Sequence, residues 1–408
     1  MQYLVQKFGG TSVGSIERID NVSKIIHAEV NNDHKVIAIV SAMSGETNRL
    51  DKLVKNTSPI YDGREYDVIV STGENVTAGL LALKLQNLGI PARSWMSWQI
   101  PITTTDMHSN ARILEIDCNN INKKFDEGMR VAVIDGFQGV SKERRITTLG
   151  RGGSDTSAVA LAAVFGAKRC DIFTDVEGVF TTDPRIVNDA KKLDRIAYEE
   201  MLELSSLGAK VLHTRSVELA MRYNVQLQVL SSFKDKKGTI VCREDDMLES
   251  RIISGVACSK DEAKITLVGV KDKPGVAAAI FGPLSESGIN VDMIIQNVSE
   301  NETTDITFSC SQSEVIKAEN AIKVASERQQ ISFKDYIIDT DVAKVSIVGI
   351  GMRSHTGIAK KMFEALAHEN INILVISTSE IKISILLEQR YMELAVQILH
   401  SAFELDKH

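Results

Sequence analysis

A cysteine framework is missing from this 408-residue chain. Its five cysteines, Cys118, Cys170, Cys242, Cys258 and Cys310, are odd in number, dispersed and without a C-x-x-C pair. That pattern excludes a disulfide-stapled secreted domain and fits a reduced, cytoplasmic protein. The eight histidines pair neither with one another nor with cysteine at metal-ligand spacing, so no metal site of the protein's own is expected. An excess of positive charge is missing too. The formal net charge of -7 and a pI near 5.7 point away from nucleic acid and anionic membrane surfaces as partners. No run approaches ~18 consecutive apolar residues, so no membrane-spanning helix is expected. The first residues, "MQYLVQKFGG", enter a strand without the charged and apolar regions of a signal peptide.

What is present is ample material for a core, 43% hydrophobic against 25% charged, in a chain long enough for two or three domains. The first half alternates short apolar runs with helix-period segments. "YLVQKF", "KVIAIVSA", "DVIVSTGE", "RVAVIDGF" and "CDIFTD" read as strands. From Ser15, Ile16, Ile19, Val22 and Ile25/Ile26 fall on one helical face, and Gly89 reads as the stop of a later helix. This alternation predicts an α/β domain with a mostly parallel sheet between helix layers, its ligand site beyond the carboxyl ends of the strands. "CREDDMLES", from Cys242 to Ser250, reads as a linker. Beyond it lies an internal repeat, aligned from Gly275 and Gly357, in which Phe281/Phe363, Leu284/Leu366 and Asn290/Asn372 coincide. Two tandem α+β units of strand, glycine turn, helix and strand are the simplest account.

The polar loops "GGTS", "SAMSGET", "STGE", "DGFQG" and "TDVEG" fall where the site should be, and several stretches carry candidate chemistry. "KFGGTS", from Lys7 to Ser12, is either a strand-to-helix turn with a solvated lysine or a cradle for phosphate; the lysine precedes the glycines, so it is not a Walker A loop. In "GRGGSD", Gly150 to Asp155, Ser154 is a candidate N-cap. Arg151 offers a planar fork for a carboxylate, and Asp155 would hold a nearby lysine or bind Mg²⁺. "FTDVEGVFTTDPRIV" places Thr174 and Asp175 at a strand end and presents Arg185 on a rigid Asp-Pro turn. "SLGAKVLH" sets Lys210 near a helix start, where the helix dipole does not favour it. Ser41, Thr47 and Glu74, from "SAMSGET" and "STGE", could read an ammonium group.

In order along the chain, "QKFGGTSV", "TTLGRGGSDTSAVALAA", "FTDVEGVFTTDPRIV", "EEMLELSSLGAKVLH", "QNVS" and "ISTSEI" resemble the aspartate kinase family, of the amino-acid-kinase fold with C-terminal ACT repeats. The resemblance covers essentially the whole chain. It implies an amino-acid-kinase domain over 1–245 and two ferredoxin-like ACT domains over 251–335 and 336–408. The strand Ile252–Cys258 would complete one of the repeats. It also implies that ATP, arriving with Mg²⁺, and L-aspartate give 4-phospho-L-aspartate at the head of lysine, threonine and methionine synthesis.

By the same resemblance Lys7 and Asp155 are catalytic. Aspartate would be read by Ser41, Thr47, Glu74, Phe137, Arg151, Gly152, Gly153 and Ser154. The nucleotide would meet Lys7, Phe8, Gly9, Gly10, Thr174, Asp175, Phe180, Arg185 and Lys210. A feedback effector, lysine or threonine or both, would meet Asp272, Gly275, Ala277, Asn290, Asp292 and Gln296 in the first repeat. In the second it would meet Ile358, Ala359, Asn372, Ile373, Ser379 and Glu380. A homo-oligomer is implied, with an ACT-only subunit started at Met247 as a further expectation. The competing readings are an amino-acid sensor with an inactive kinase domain and a glutamate kinase of the same fold.

Overall fold

The computed structural model describes residues 2–407 apart from 208–210, 245–250 and 298–301. Lys210 and Met247 therefore lie outside the described residues. Two compact units emerge: Met1–Phe180 with Lys192–Ser250, and Thr181–Lys191 with Arg251–His408.

The first unit opens with β1 (Gln2–Phe8), α1 (Ile16–Asn31), β2 (His34–Val40), α2 (Glu46–Thr57), α3 (Gly63–Val70) and α4 (Thr72–Asn87). There follow β3 (Ala92–Trp95), β4 (Ile102–Thr104), β5 (Ile113–Ile116), α5 (Asn119–Asp126), β6 (Val131–Asp135), β7 (Gln138–Val140) and β8 (Ile146–Thr148). It closes with α6 (Gly153–Val164), β9 (Cys170–Thr174), β10 (Arg195–Ala197), α7 (Tyr198–Ser206), α8 (Thr214–Tyr223), β11 (Leu227–Ser231) and β12 (Thr239–Cys242).

Eight strands form one sheet in the order β10-β12-β11-β9-β1-β2-β6-β3, parallel except where β11 meets β12. From residue 36 to residue 40, β2 is wholly apolar and buried on both faces, as a covered parallel strand must be. On α1 the Ser15 side chain accepts from the Arg18 N–H, and Ile19, Val22 and Ile26 face the core, while Ile16 falls outside that face. Strand order reverses at β1, where such folds open a crevice. There Phe173, Phe8, Val40 and Asp135 stand side by side as the last paired row of four adjacent strands.

One expected strand is a helix. Asp67–Val70, read as strand, forms the end of α3, which Asp62 caps through the Arg64 N–H. Four apolar residues cannot by themselves separate strand from helix. The buried Asp67 decides it: its carboxylate accepts from Ser109 N–H (3.1 Å), Thr148 N–H (3.1 Å) and Thr148 Oγ1 (2.6 Å), with His108 Nδ1 at 2.7 Å. A helix seats that carboxylate under the four-stranded sheet β5-β4-β7-β8. Together α3 and α4, Gly63–Asn87, are long and apolar enough to cross a membrane by length and composition, but half of that stretch is buried within the fold.

The second unit contains β13 (Gly255–Lys271), α9 (Val276–Glu286), β14 (Val291–Gln296), β15 (Thr303–Cys310), α10 (Val315–Glu327) and β16 (Asp335–Val348). After them come α11 (Ile358–His368), β17 (Val375–Thr378), β18 (Lys382–Glu388) and α12 (Met392–Ala402). One six-stranded antiparallel sheet, β14-β15-β13-β16-β18-β17, carries both repeats. The long central strands are shared between two cores. Val256 at the start of β13 packs with Ala343, Val345 and Ile347 at the end of β16, whereas Ile265 and Leu267 pack with Tyr336 and Ile338. Residues 252–258 thus complete the second repeat, and no single cut in sequence separates the two cores.

Thr181–Lys191 belongs to this unit although the chain on both sides of it belongs to the first. Its Thr181 carbonyl accepts from Val256 N–H (2.7 Å), and Thr181 Oγ1 lies 2.9 Å from Nε2 of the buried His400. Gln397 Nε2 donates to the Ile186 carbonyl (3.0 Å), and Ile186 and Val187 pack on the second core.

Candidate active site

Lys7, near the end of β1, and Asp155, in the first turn of α6, meet with Nζ and Oδ1 2.6 Å apart, both side chains 12% exposed. A carboxylate in a first turn is favoured by the helix dipole, so Asp155 is a stable anchor for the lysine. Beside them the "GGTS" loop is laced to its neighbours. Gly9 N–H donates to Phe173 O (3.1 Å), Ser41 N–H to Phe8 O (3.1 Å) and Ser44 N–H to Gly10 O (3.2 Å). Phe8 and Phe173 stack beneath at 4.8 Å. The loops after β1, β2 and β9 are thus held together before any ligand arrives.

The opposite wall is α6. Ser154, expected as its N-cap, stands inside the first turn instead; the cap is Gly152, left-handed at φ +70, with no side-chain hydrogen bond. The reason is space: a Cβ on Gly152 would lie 2.3 Å from the His213 ring, so the chain must turn there without one. Gly153 N–H turns back to Gly150 O (3.0 Å), and the next first-turn amides, of Ser154 and Asp155, have no backbone partner among the described residues, as an anion-binding helix end requires. The approach to α6 is braced from below. Arg215 donates to Leu149 O (2.9 Å) and Ala111 O (2.8 Å), and Asp67 holds Thr148. Arg151 itself is exposed and makes no ion pair with any described residue.

Glu74 lies in the first turn of α4, 3% exposed. Burial pushes its carboxyl up to about 7, against the pull of hydrogen bonds from Ala42 N–H and its own N–H. Its Oε2 has no hydrogen-bond partner among the described residues. Phe137 follows β6 in the left-handed region at φ +72, held by a 3.2 Å bond from its N–H to Ser157 Oγ. Ser41 ends the β2 crossing and Thr47 opens α2. Thr174 ends β9 and Asp175 follows it, with Thr174 Oγ1 donating to Asp175 (3.1 Å). Phe180 pairs in a bridge with Lys192 at the edge of the unit. Arg185 falls in the second unit, paired with Asp183 at 2.6 Å and 85% exposed. Sequence reasoning missed Asp135, a fully buried acid on the same row as Phe8. Its only signal was an acid ending an apolar strand.

The amino acid kinase family model matches residues 2–231, and ACT domain models match 264–327 and 345–403. An aspartate kinase of Pseudomonas putida is 54% identical over 409 aligned positions, covering 100% of this chain and 98% of that protein. The chain belongs to the aspartate kinase family. An aspartokinase of Helicobacter pylori is 47% identical over 99% of this chain and 100% of its own length. Among solved structures, Escherichia coli aspartokinase III in complex with aspartate and ADP superposes with a TM-score of 0.81 at 26% identity, over 98% of this chain and 99% of that one. Kinase chemistry on aspartate is the activity of the family, and ACT domains follow the kinase domain here as expected.

In the second repeat a cavity of about 550 Å³ is lined by Ile358, Ala359, Ser379 and Glu380 together with Arg353 and His355. Asn372 and Ile373, expected with them, do not line it. Gly275 and Gly357 take the same left-handed cap at φ +91 and +86, so the repeat is real in three dimensions. In the first repeat Asp292 is already engaged: Lys344 Nζ reaches its Oδ2 (2.6 Å) and Glu262 (2.7 Å). Burial opposes the Lys344 charge, but the two carboxylates outweigh it and hold its pKa above the usual lysine value.

Proposed function

We infer that the chain phosphorylates the β-carboxylate of L-aspartate with ATP, giving ADP and 4-phospho-L-aspartate, and that lysine or threonine restrains it through the ACT repeats. The observation that carries this reading is the Lys7–Asp155 pair between the "GGTS" loop and the head of α6. An aspartate β-oxygen attacks the γ-phosphorus; the new P–O bond forms as the bond to the β,γ-bridging oxygen breaks, and ADP leaves. The nucleophile is already ionised near neutrality, so no general base is needed. The demand is for positioning and charge neutralisation, which Lys7 and the first-turn amides of α6 supply. Arg151 takes the substrate's α-carboxylate and Glu74 its ammonium, with Ser41, Thr47, Phe137 and Ser154 around them. Gly9, Gly10, Thr174 and Asp175 border the nucleotide.

Mg²⁺ travels with the nucleotide phosphates and neutralises them; among the described residues no group of three or more acid, His or Cys side chains could hold a metal. The described edges of the six-stranded sheet, β14 and β17, carry Asp292 and Gln296 on one side and run into Ser379 and Glu380 on the other. Pairing of these edges between chains makes the effector-binding homo-oligomer. ADP release with ATP, Mg²⁺ and L-aspartate, the acyl phosphate being trapped by hydroxylamine, tests the reading. L-glutamate is run in parallel, and lysine and threonine are added singly and together. Aspartate-dependent turnover lowered by either amino acid is expected. Turnover with glutamate alone, or none with either substrate, would overturn it.

A further inference from the structure

The buried acid of α3 is bonded to the stretch of chain that leads into α6. Asp67 is fully buried, and a carboxylate out of water costs free energy unless donors surround it. Its donors come from two segments far apart in sequence. In the loop between β4 and β5, Ser109 N–H lies 3.1 Å from both oxygens and His108 Nδ1 lies 2.7 Å from Oδ2. At the end of β8, Thr148 gives its N–H to Oδ2 (3.1 Å) and its hydroxyl to Oδ1 (2.6 Å). The two segments are tied to each other as well, Ala111 N–H donating to Thr148 O (2.9 Å). Packing alone does not call for an acid here, since α3 buries an apolar side chain at Val70. What these bonds fix is the chain just beyond them. Thr148 is followed by Leu149, left-handed Gly150 and then Arg151. A Cβ on Gly150 would stand 3.0 Å from Ser109 O and 3.1 Å from Asn110 Oδ1, so the loop that Asp67 holds is pressed against the turn.

We propose that Asp67 is a positioning residue for aspartate: by joining Thr148 to Ser109 it fixes the turn from which Arg151 meets the substrate's α-carboxylate. The inference rests on the reading of Arg151 as the α-carboxylate partner. A guanidinium that must form two parallel bonds at once is sensitive to where its backbone stands. Arg151 is exposed, so its place is set by the turn on either side of it. Asp67 and Thr148 hold that turn on one side, with Arg215 on Leu149 O (2.9 Å). The loops that border the nucleotide are held by other bonds, Gly9 N–H to Phe173 O and Ser41 N–H to Phe8 O. Loss of Asp67 therefore reaches aspartate and leaves ATP alone.

The test is a double-mutant cycle in the full-length enzyme, read as kcat/KM for aspartate beside the ATP KM. Asp67→Asn keeps the shape but offers one acceptor oxygen, and its amide N–H groups oppose the donors that converge there. It is expected to lower kcat/KM for aspartate about tenfold and to leave the ATP KM within about twofold. In an Arg151→Ala background the same change should cost less than about twofold, because the group it positions is gone. Should the Asp67→Asn chain not fold, Thr148→Val carries the cycle, since it removes the 2.6 Å bond and keeps the other donors. Equal losses toward aspartate and ATP overturn the proposal, as a loosened fold would produce them. So does an Asp67→Asn loss that is undiminished in the Arg151→Ala background. The single Arg151→Ala variant separates the two levels. If it leaves kcat/KM for aspartate unchanged, the α-carboxylate clamp itself is misplaced; if it lowers it while Asp67→Asn does not, only the role of Asp67 falls.

Discussion

The head of α6 and the heads of α9 and α11 are built from the same local device and put to different ends. Each begins after a glycine in the left-handed region with no side-chain cap. At Gly152 the space around the turn is full, with His213 against it; at Gly275 and Gly357 no described residue lies within 4 Å of where a Cβ would stand. The kinase turn is fixed before its ligand comes, and the repeat turns open onto free space. A site that stabilises a transition state gains from rigidity, whereas one that must signal occupancy gains from having room to change.

Removing the charge from the rigid end should have the largest effect. Lys7→Ala is expected to lower kcat by about 10²–10³, the usual loss for one preorganised donor to a transferring group. Hydroxylamine-trapped turnover within threefold of the parent would remove Lys7 from the mechanism. The turns themselves come next. Gly152→Ala meets both the left-handed backbone cost and the His213 ring, so about 3 kcal/mol or more of stability should go, along with most activity. Gly357→Ala meets only the backbone cost, about 1–2 kcal/mol, and should leave effector-free turnover intact. Equal losses in urea melts would erase the contrast between the two ends.

Much of this contrast was legible in the sequence, because glycine pairs among polar residues mark turns and the repeat could be aligned on its glycines. The apolar run over residues 36–40 of β2 declared itself as a buried strand, and α1 by its spacing. What could not be read depends on distant partners. Asp67–Val70 looked like a strand until Ser109 and Thr148 were seen to claim the Asp67 carboxylate. Ser154 looked like a cap because nothing in sequence says that His213 crowds Gly152. Thr181–Lys191 continues the kinase motif in sequence, yet its hydrogen bonds go to Val256, Gln397 and His400. Asp135 drew no notice because its neighbours come from α4 and from the loop after β3.

The two units should also answer pH in opposite senses. Glu74 titrates at about 7 in the fold against an ordinary 4.5, raised by burial. Its contribution to stability is full below pH 4.5 and lost as pH rises to about 7. Glu74→Gln should therefore gain on the parent by about 3 kcal/mol between pH 5 and pH 8. Both tryptophans, Trp95 and Trp98, lie in the kinase unit, so their fluorescence in urea follows it. Burial lowers the His400 pKa below its ordinary 6.5, against the pull of Asp406 and Asp189. Its contribution is present above pH 6.5 and fades as pH falls below that. His400→Gln should flatten the acid limb of the second unit's transition. A Glu74→Gln gain independent of pH would show that this carboxyl titrates normally.

The smallest effect tests whether the rigid end also reads its substrate by shape. Arg151 is exposed at the approach to α6, between left-handed Gly150 and Gly152, and is bound to no described carboxylate. Its guanidinium is thus available for two parallel bonds to an incoming α-carboxylate. Lysine at the same place keeps the charge but presents a single point donor. Arg151→Lys should raise the aspartate KM about tenfold, roughly the value of one lost charge-assisted bond, and leave the ATP KM within twofold. Equal increases in both constants would mean that Arg151 serves the turn rather than the substrate. The prepared end would then bind aspartate through Glu74 and the first-turn amides of α6 alone.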